Sequence, residues 1–258
     1  MNKVALLNGN VLEMYTSIET APLLNFQAYN KFALIEAGIG GDLGAINSHI
    51  SLISGYITHK QGDKAQEQLK NYAQALQFIV SGTTPEMLCF VPLVYKLNGE
   101  VFNCDFSEEG IQEALVDLSK RGLTMGKIRE FLSFFKKKVD SEFDALFPKL
   151  VNTPEVQSYY DLLQKRTLYV LDRCIGKDVE EQINNVEGKM FKILKPKNFI
   201  GKDSAEVKFI LDFEDAKAAI SRHLHLDPNK MTVLSFYRNL DNINKMNRPK
   251  QNNKKRSA

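Results

Sequence analysis

Between Leu43 and Gly82 the apolar residues of this chain step by three and four, in two runs separated by the polar turn "HKQGDK". Leu43, Ile46, Ile50, Ile53 and Ile57 make the first stripe, and Ala65, Leu69, Tyr72, Leu76 and Ile79 the second. That period marks one face of an α-helix and excludes the alternation of a strand. Two such helices joined by a short turn fold back as an antiparallel hairpin. Asp63 is placed to cap the second helix and Gly82 to end it. The stripes are expected to face each other through Ile46, Ile50, Ile53, Leu69, Tyr72 and Leu76. An aspartate at Ile53 would then cost roughly 3 kcal/mol or more, as a buried unpaired charge.

Just before the hairpin, "AGIGGDLG" places Gly38, Gly40, Gly41 and Gly44 within seven positions. A dinucleotide-binding fingerprint needs its third glycine at position 43, which is Leu, and a phosphate-binding P-loop needs a lysine that is absent here. Both motifs follow a strand, whereas "NFQAYNKFALIEAG" reads as helix through Phe26, Tyr29, Phe32 and Ala33. The glycines are therefore read as a close-packed joint between helices, with Asp42 capping the next one.

The remaining signals are mostly helical. Thr84 with Pro85, Ser107, Thr124 and Thr232 each stand where an N-cap belongs, and Pro92 predicts an early helix end. Asn8-Gly9 and Asn98-Gly99 are the dipeptides of tight hairpin turns, so two small β-hairpins are expected. Long helices follow in "EVQSYYDLLQKRTLYVLDRCIG", capped by Asn152 or Thr153, and in "KDVEEQINNVEGKMFKILK". A final helical pair surrounds "DPNKMT". The fold class is mainly α, a multi-helix bundle with antiparallel hairpins. Pro148 and Pro154 suggest an N-terminal helical domain over 1–150, a C-terminal one over 151–247, and a basic flexible tail over 248–258.

A chain of 258 residues with 43% hydrophobic and 25% charged residues can bury a substantial core. No run is long enough for a membrane span, the N-terminus makes a poor signal peptide, and three cysteines without a CxxC pair read as free thiols. These features point to the cytoplasm of the producing cell. Residues 1–150 carry 14 Lys/Arg and 17 Asp/Glu, a balance of −3, whereas 151–258 carry 20 and 14, a balance of +6. Most of the excess lies in "NRPKQNNKKRSA", where Arg248, Lys250, Lys254, Lys255 and Arg256 are candidate contacts for nucleic acid or an acidic partner.

Reactive constellations are sparse in the sequence. His49 and His59 are ten apart, and His223 and His225 fall on opposite sides of a helix, whereas zinc-binding helices pair histidines at i and i+4. Cys89 and Cys104 have no basic neighbour in sequence, and no G-x-S-x-G is present. The run "FFKKKVDSEF" reads as a solvated helix face. The last helical pair has a helix-turn-helix outline, but its second helix carries only Arg238 and Lys245 as cations, too few for reading bases. No catalytic, cofactor-binding or metal-binding residue is assigned, and the chain is expected not to be an enzyme.

A family resemblance narrows the reading. Lys31-Phe32, Leu34-Ile35-Glu36, Gly38-Ile39-Gly40 and Asp42, followed by Leu88-Cys89-Phe90, Val94 and Leu97-Asn98-Gly99, resemble motifs of structural proteins of tailed bacteriophages, notably those infecting Bacteroidetes. The closing "DPNKMTVLSFYRNLDNINK" is similar to the last helix of phage tail-assembly proteins, a Thr-capped helix with a Phe-Tyr pair. The resemblance covers about half the chain and its motifs are structural. It implies a virion protein of the neck, ring or tail, or head-tail connector, made in the host cytoplasm and working by subunit assembly. Partners would be copies of itself and other phage structural proteins, with weak nucleic-acid contact through the tail and no membrane. The alternative it implies is a tail-assembly chaperone that binds the tape-measure protein.

Overall fold

A computed structural model describes residues 2–148 and 154–246. Among them are ten α-helices and one small sheet, so the chain is mainly α. The helices are α1 (Leu23–Gly38), α2 (Leu43–Thr58), α3 (Gly62–Ser81), α4 (Pro85–Phe90), α5 (Glu108–Lys120) and α6 (Met125–Leu146), followed by α7 (Pro154–Cys174), α8 (Glu180–Ile193), α9 (Ala205–Leu224) and α10 (Val233–Met246).

Helix starts follow local chemistry. Side chains of Asp42, Thr84, Ser107, Thr124 and Ser204 accept hydrogen bonds from the backbone N–H three residues on, at the starts of α2, α4, α5, α6 and α9. Asp63 departs from expectation: α3 begins at Gly62 without a side-chain cap, and Asp63 lies inside its first turn, favoured by the helix dipole. Gly82 ends α3 in the left-handed conformation (φ 73°). Pro92 lacks the N–H a helix interior needs, and α4 stops at Phe90 before a 3₁₀ turn.

Both expected hairpins form. β1 (Asn2–Ala5) pairs with β2 (Val11–Met14), and β3 (Val94–Leu97) with β4 (Glu100–Val101), each turning through left-handed Asn and Gly. Less foreseeable is that β2 also pairs with β3, Leu12 opposite Leu97, making one antiparallel sheet β1-β2-β3-β4. Asn98 locks the junction: its side-chain carbonyl accepts from Val11 N–H at 2.9 Å, and its amide donates to Asn10 at 2.8 Å.

Helix α1 is the hub. Its buried residues Leu23, Phe26, Phe32 and Ile35 point in different directions, as in a helix surrounded by protein. Phe26 joins a core of Leu12, Met14, Phe90, Phe131 and Phe135 beneath the sheet. Phe32 and Ile35 join Leu88, Ile111 and Leu115 under α5. Leu23 packs with Phe213, Ile220, Phe236 and Ile243 of α9 and α10. The C-terminal helices thus return to the first part of the chain, where Leu234 N–H donates to the Ile18 carbonyl and Tyr237 meets the Phe143 ring edge-on at 4.9 Å. The division expected near 150 falls at residues 149–153, outside the described residues.

Candidate functional site

The glycine cluster is a joint. Gly40 takes a left-handed φ of 67°, and a Cβ on it would overlap the Ala45 methyl. A Cβ on Gly38 would strike the Phe199 ring, so the small residues let α1, α2 and the segment before α9 close together. Asp42 Oδ1 accepts from Ala45 N–H at 2.9 Å, an ordinary helix cap.

Helices α2 and α3 form the expected antiparallel hairpin, but the face that packs inward is the polar one. His49, Tyr56, Gln68, Asn71 and Ala75 are buried. His49 Nε2 lies 2.7 Å from the Ile39 carbonyl, which can only accept, so this nitrogen carries the proton and Nδ1 accepts from the Gln68 amide. Asn71 donates to the Lys197 carbonyl at 2.9 Å. Lys64 Nζ donates to the carbonyls of Phe191, Lys192 and Leu194 at 2.7, 3.0 and 2.9 Å, closing the end of α8. The Phe191 ring enters a niche opened by Gly55, meeting Tyr56 edge-on at 5.3 Å and stacking on His59 at 5.1 Å.

The apolar stripes read from the sequence are covered only in part: Ala65 is buried and Ile46 packs against the core around Phe32 and Leu88, but much of the remainder is left on the outside. Ile50, Ile57 and Leu69 are 52%, 63% and 54% exposed, and Leu43, Leu76 and Val80 are exposed as well. With Ile53 and Tyr72 at its floor, this face forms a groove of about 430 Å³. The stripes therefore do not seal the hairpin, and an aspartate at Ile53, a half-buried position on a groove floor, would keep partial contact with water and cost less than a fully buried charge. Periodicity identified which residues share a face; it did not identify which face is covered. Spacings of seven (His49, Tyr56) and of three and four (Gln68, Asn71, Ala75) marked the covered face, in residues with weak hydrophobic signal.

The closest approach to a reactive cluster lies beside the joint. Arg129 bonds Glu86 at 3.0 Å and approaches Asp42 at 3.5 Å, while one carboxylate oxygen of Glu36 is buried without a partner. Burial, then the negative charge of Glu86 and Asp42, pushes the Glu36 carboxyl above its usual range. Burial, then the charges of Glu36 and Glu86, likewise pushes the Cys89 thiol well up and favours its protonated form. Because Glu36 is harder to ionise in the folded state, its contribution favours folding less as pH rises above the ordinary carboxylate range. Glu36→Gln is therefore expected to raise the melting temperature at neutral pH and lose that advantage below about pH 4. Thermal melts of both proteins from acid to neutral pH check this, and an unchanged or lower neutral melting temperature speaks against a strained carboxyl.

The other expected candidates are structural where they are described. His49 and His59 are engaged with Gln68 and Phe191, and His225 ends α9 in the left-handed conformation. Among the described residues no group of three or more His, Cys, Asp or Glu is arranged to hold a metal ion. Lys136, Lys137 and Lys138 form the solvated face of α6. In α10, Val233, Phe236 and Ile243 are buried and Lys245 pairs with Asp241, leaving Arg238 exposed. Arg248, Lys250, Lys254, Lys255 and Arg256 lie outside the described residues. No helix among the described residues is long and apolar enough to cross a membrane. Comparisons with protein-family models, curated proteins and solved structures return no match.

Proposed function

We propose that this protein is a virion structural subunit of a tailed bacteriophage, a component of the neck, ring or tail that works by assembling with copies of itself and with other particle proteins. The observation that carries this reading is the outward apolar face of the α2–α3 hairpin, where large aliphatic side chains at helical spacing meet solvent. Contiguous exposed apolar surface of this kind marks an interaction site. The resemblance of the segments around Gly38 and Leu88 to phage structural proteins supplies the kind of assembly. The basic run from Arg248 to Arg256 is the candidate contact for nucleic acid or an acidic neighbour.

Quantitative mass spectrometry of purified particles should find the protein in many copies. A protein absent from mature particles, but bound to the tape-measure protein in infected cells, would identify the assembly chaperone instead. A substitution tests the surface itself. Leu69→Asp is expected to change stability by about 0.5 kcal/mol or less, because the site is already open to solvent. Self-association, followed by light scattering after size-exclusion chromatography, should weaken at least tenfold. A large loss of melting temperature would mean that Leu69 packs inside the folded chain.

A further inference from the structure

We infer that two copies join head to tail, the outward face of α7 on one copy seating in the α2–α3 groove of the next. This inference rests on the assembly reading and names the contact that would carry it.

Helix α7 is apolar on two sides. Leu162, Leu163, Tyr169 and Val170 are half-buried, on the side that packs against α8, where Arg166 Nε donates to Glu187 at 2.7 Å. Tyr160, Leu168, Leu171 and Ile175 follow at steps of eight, three and four on another side, and each is more than half exposed. Gln157, Gln164 and Thr167 complete that face and are also exposed. Two apolar sides on one helix imply two partners. Among the described residues α8 covers the first of these sides.

The groove is the complementary shape. A single helix lays its ridge of side chains between two others. The stripe from Tyr160 to Ile175 runs about 22 Å, and the outward apolar face of α2 from Leu43 to Ile57, whose second half lines the groove, about 21 Å, so the two match in length. They also match in charge. From Leu43 to Thr58, α2 contains no Asp, Glu, Lys or Arg. The groove wall from α3 presents Leu69 and Tyr72, with Ala73 and Leu76 exposed beside them. The outward face of α7 carries one charge, at its rim, where the Asp161 carboxylate accepts from Gln157 at 3.2 Å, so docking along the stripe buries no unpaired ion.

Helix α7 does not turn inward onto its own groove: α8 is pinned to the hairpin by Phe191 and Lys64, and α7 lies on α8 with its second stripe on a different side. One groove and one ridge per copy make a heterologous contact, which closes into a ring or continues as a filament.

Mixing two single variants of the full chain tests this. Ile50→Asp blocks the groove and Leu168→Asp blocks the ridge; both sites are exposed, so melting temperatures should stay within a few degrees of the parent. Leu171→Gln serves as a milder ridge variant if Leu168→Asp melts early. By light scattering, the parent chain should form higher oligomers while each variant alone stays monomeric. An equimolar mixture should form a dimer of twice the monomer mass and nothing larger, because one intact groove meets one intact ridge. Variants that are each monomeric and stay monomeric when mixed overturn the head-to-tail contact, because an intact groove and an intact ridge then fail to join, while a parent that still forms higher oligomers leaves the assembly reading intact. A variant that assembles like the parent, or a parent that is monomeric at all concentrations, overturns the contact outright.

Discussion

Replacing Phe135 with alanine should lower the unfolding free energy by about 3–5 kcal/mol, a large share of the stability of an ordinary domain. Phe135 is fully buried in the core beneath the sheet, stacked on Phe131 at 6.1 Å and met edge-on by Tyr29 at 5.1 Å. The ring joins α6 to the hub helix α1. Its removal leaves a cavity bounded by rings that are themselves packed against Phe26 and Phe90, so the core cannot collapse to fill it. Urea unfolding followed by circular dichroism should show a lower midpoint at an unchanged slope. A loss below about 1 kcal/mol would place Phe135 outside a close-packed core.

A second large effect is expected at Gly55, where size rather than cavity matters. Its Cβ position lies inside the van der Waals surface of the Phe191 ring. Tyr56 and His59 flank that ring on two sides, which limits where it can retreat. Overpacking by a single methyl costs about 1–3 kcal/mol, and a leucine more. Gly55→Leu should therefore lift α8 from the hairpin and break the three bonds from Lys64. Hydrogen exchange in α7 and α8 should rise well before global unfolding. The double variant Gly55→Leu/Phe191→Ala should recover part of the loss, because it removes the colliding ring, and that coupling separates overpacking from a change in helix propensity. Equal protection of α8 in Gly55→Leu and the parent would show that Phe191 does not pin the helix.

Much of the local structure was legible in the sequence. Asp42, Thr84, Ser107 and Thr124 each satisfy a backbone N–H three residues away, and Asn8-Gly9 and Asn98-Gly99 each adopt left-handed turns. These outcomes depend on atoms within a few residues, so sequence determines them. Asp63 is the exception, since a helix can begin one residue early when a glycine and an acidic first turn suffice.

Tertiary structure decided how those pieces combine. The two hairpins became one sheet because Leu12 and Leu97 share a buried face, a pairing that no local signal encodes. The α2–α3 hairpin turned its polar side inward because the end of α8 and the strap to Phe199 arrive with unpaired carbonyls, which Lys64, Tyr56 and Asn71 satisfy. A buried carbonyl without a donor costs more than an exposed isoleucine, since the apolar side chain only forgoes a gain while the carbonyl loses its bond to water. Hydrophobic spacing in a sequence fixes which side chains travel together on a helix. Whether that face is covered depends on residues more than a hundred positions away, and here they cover the other one.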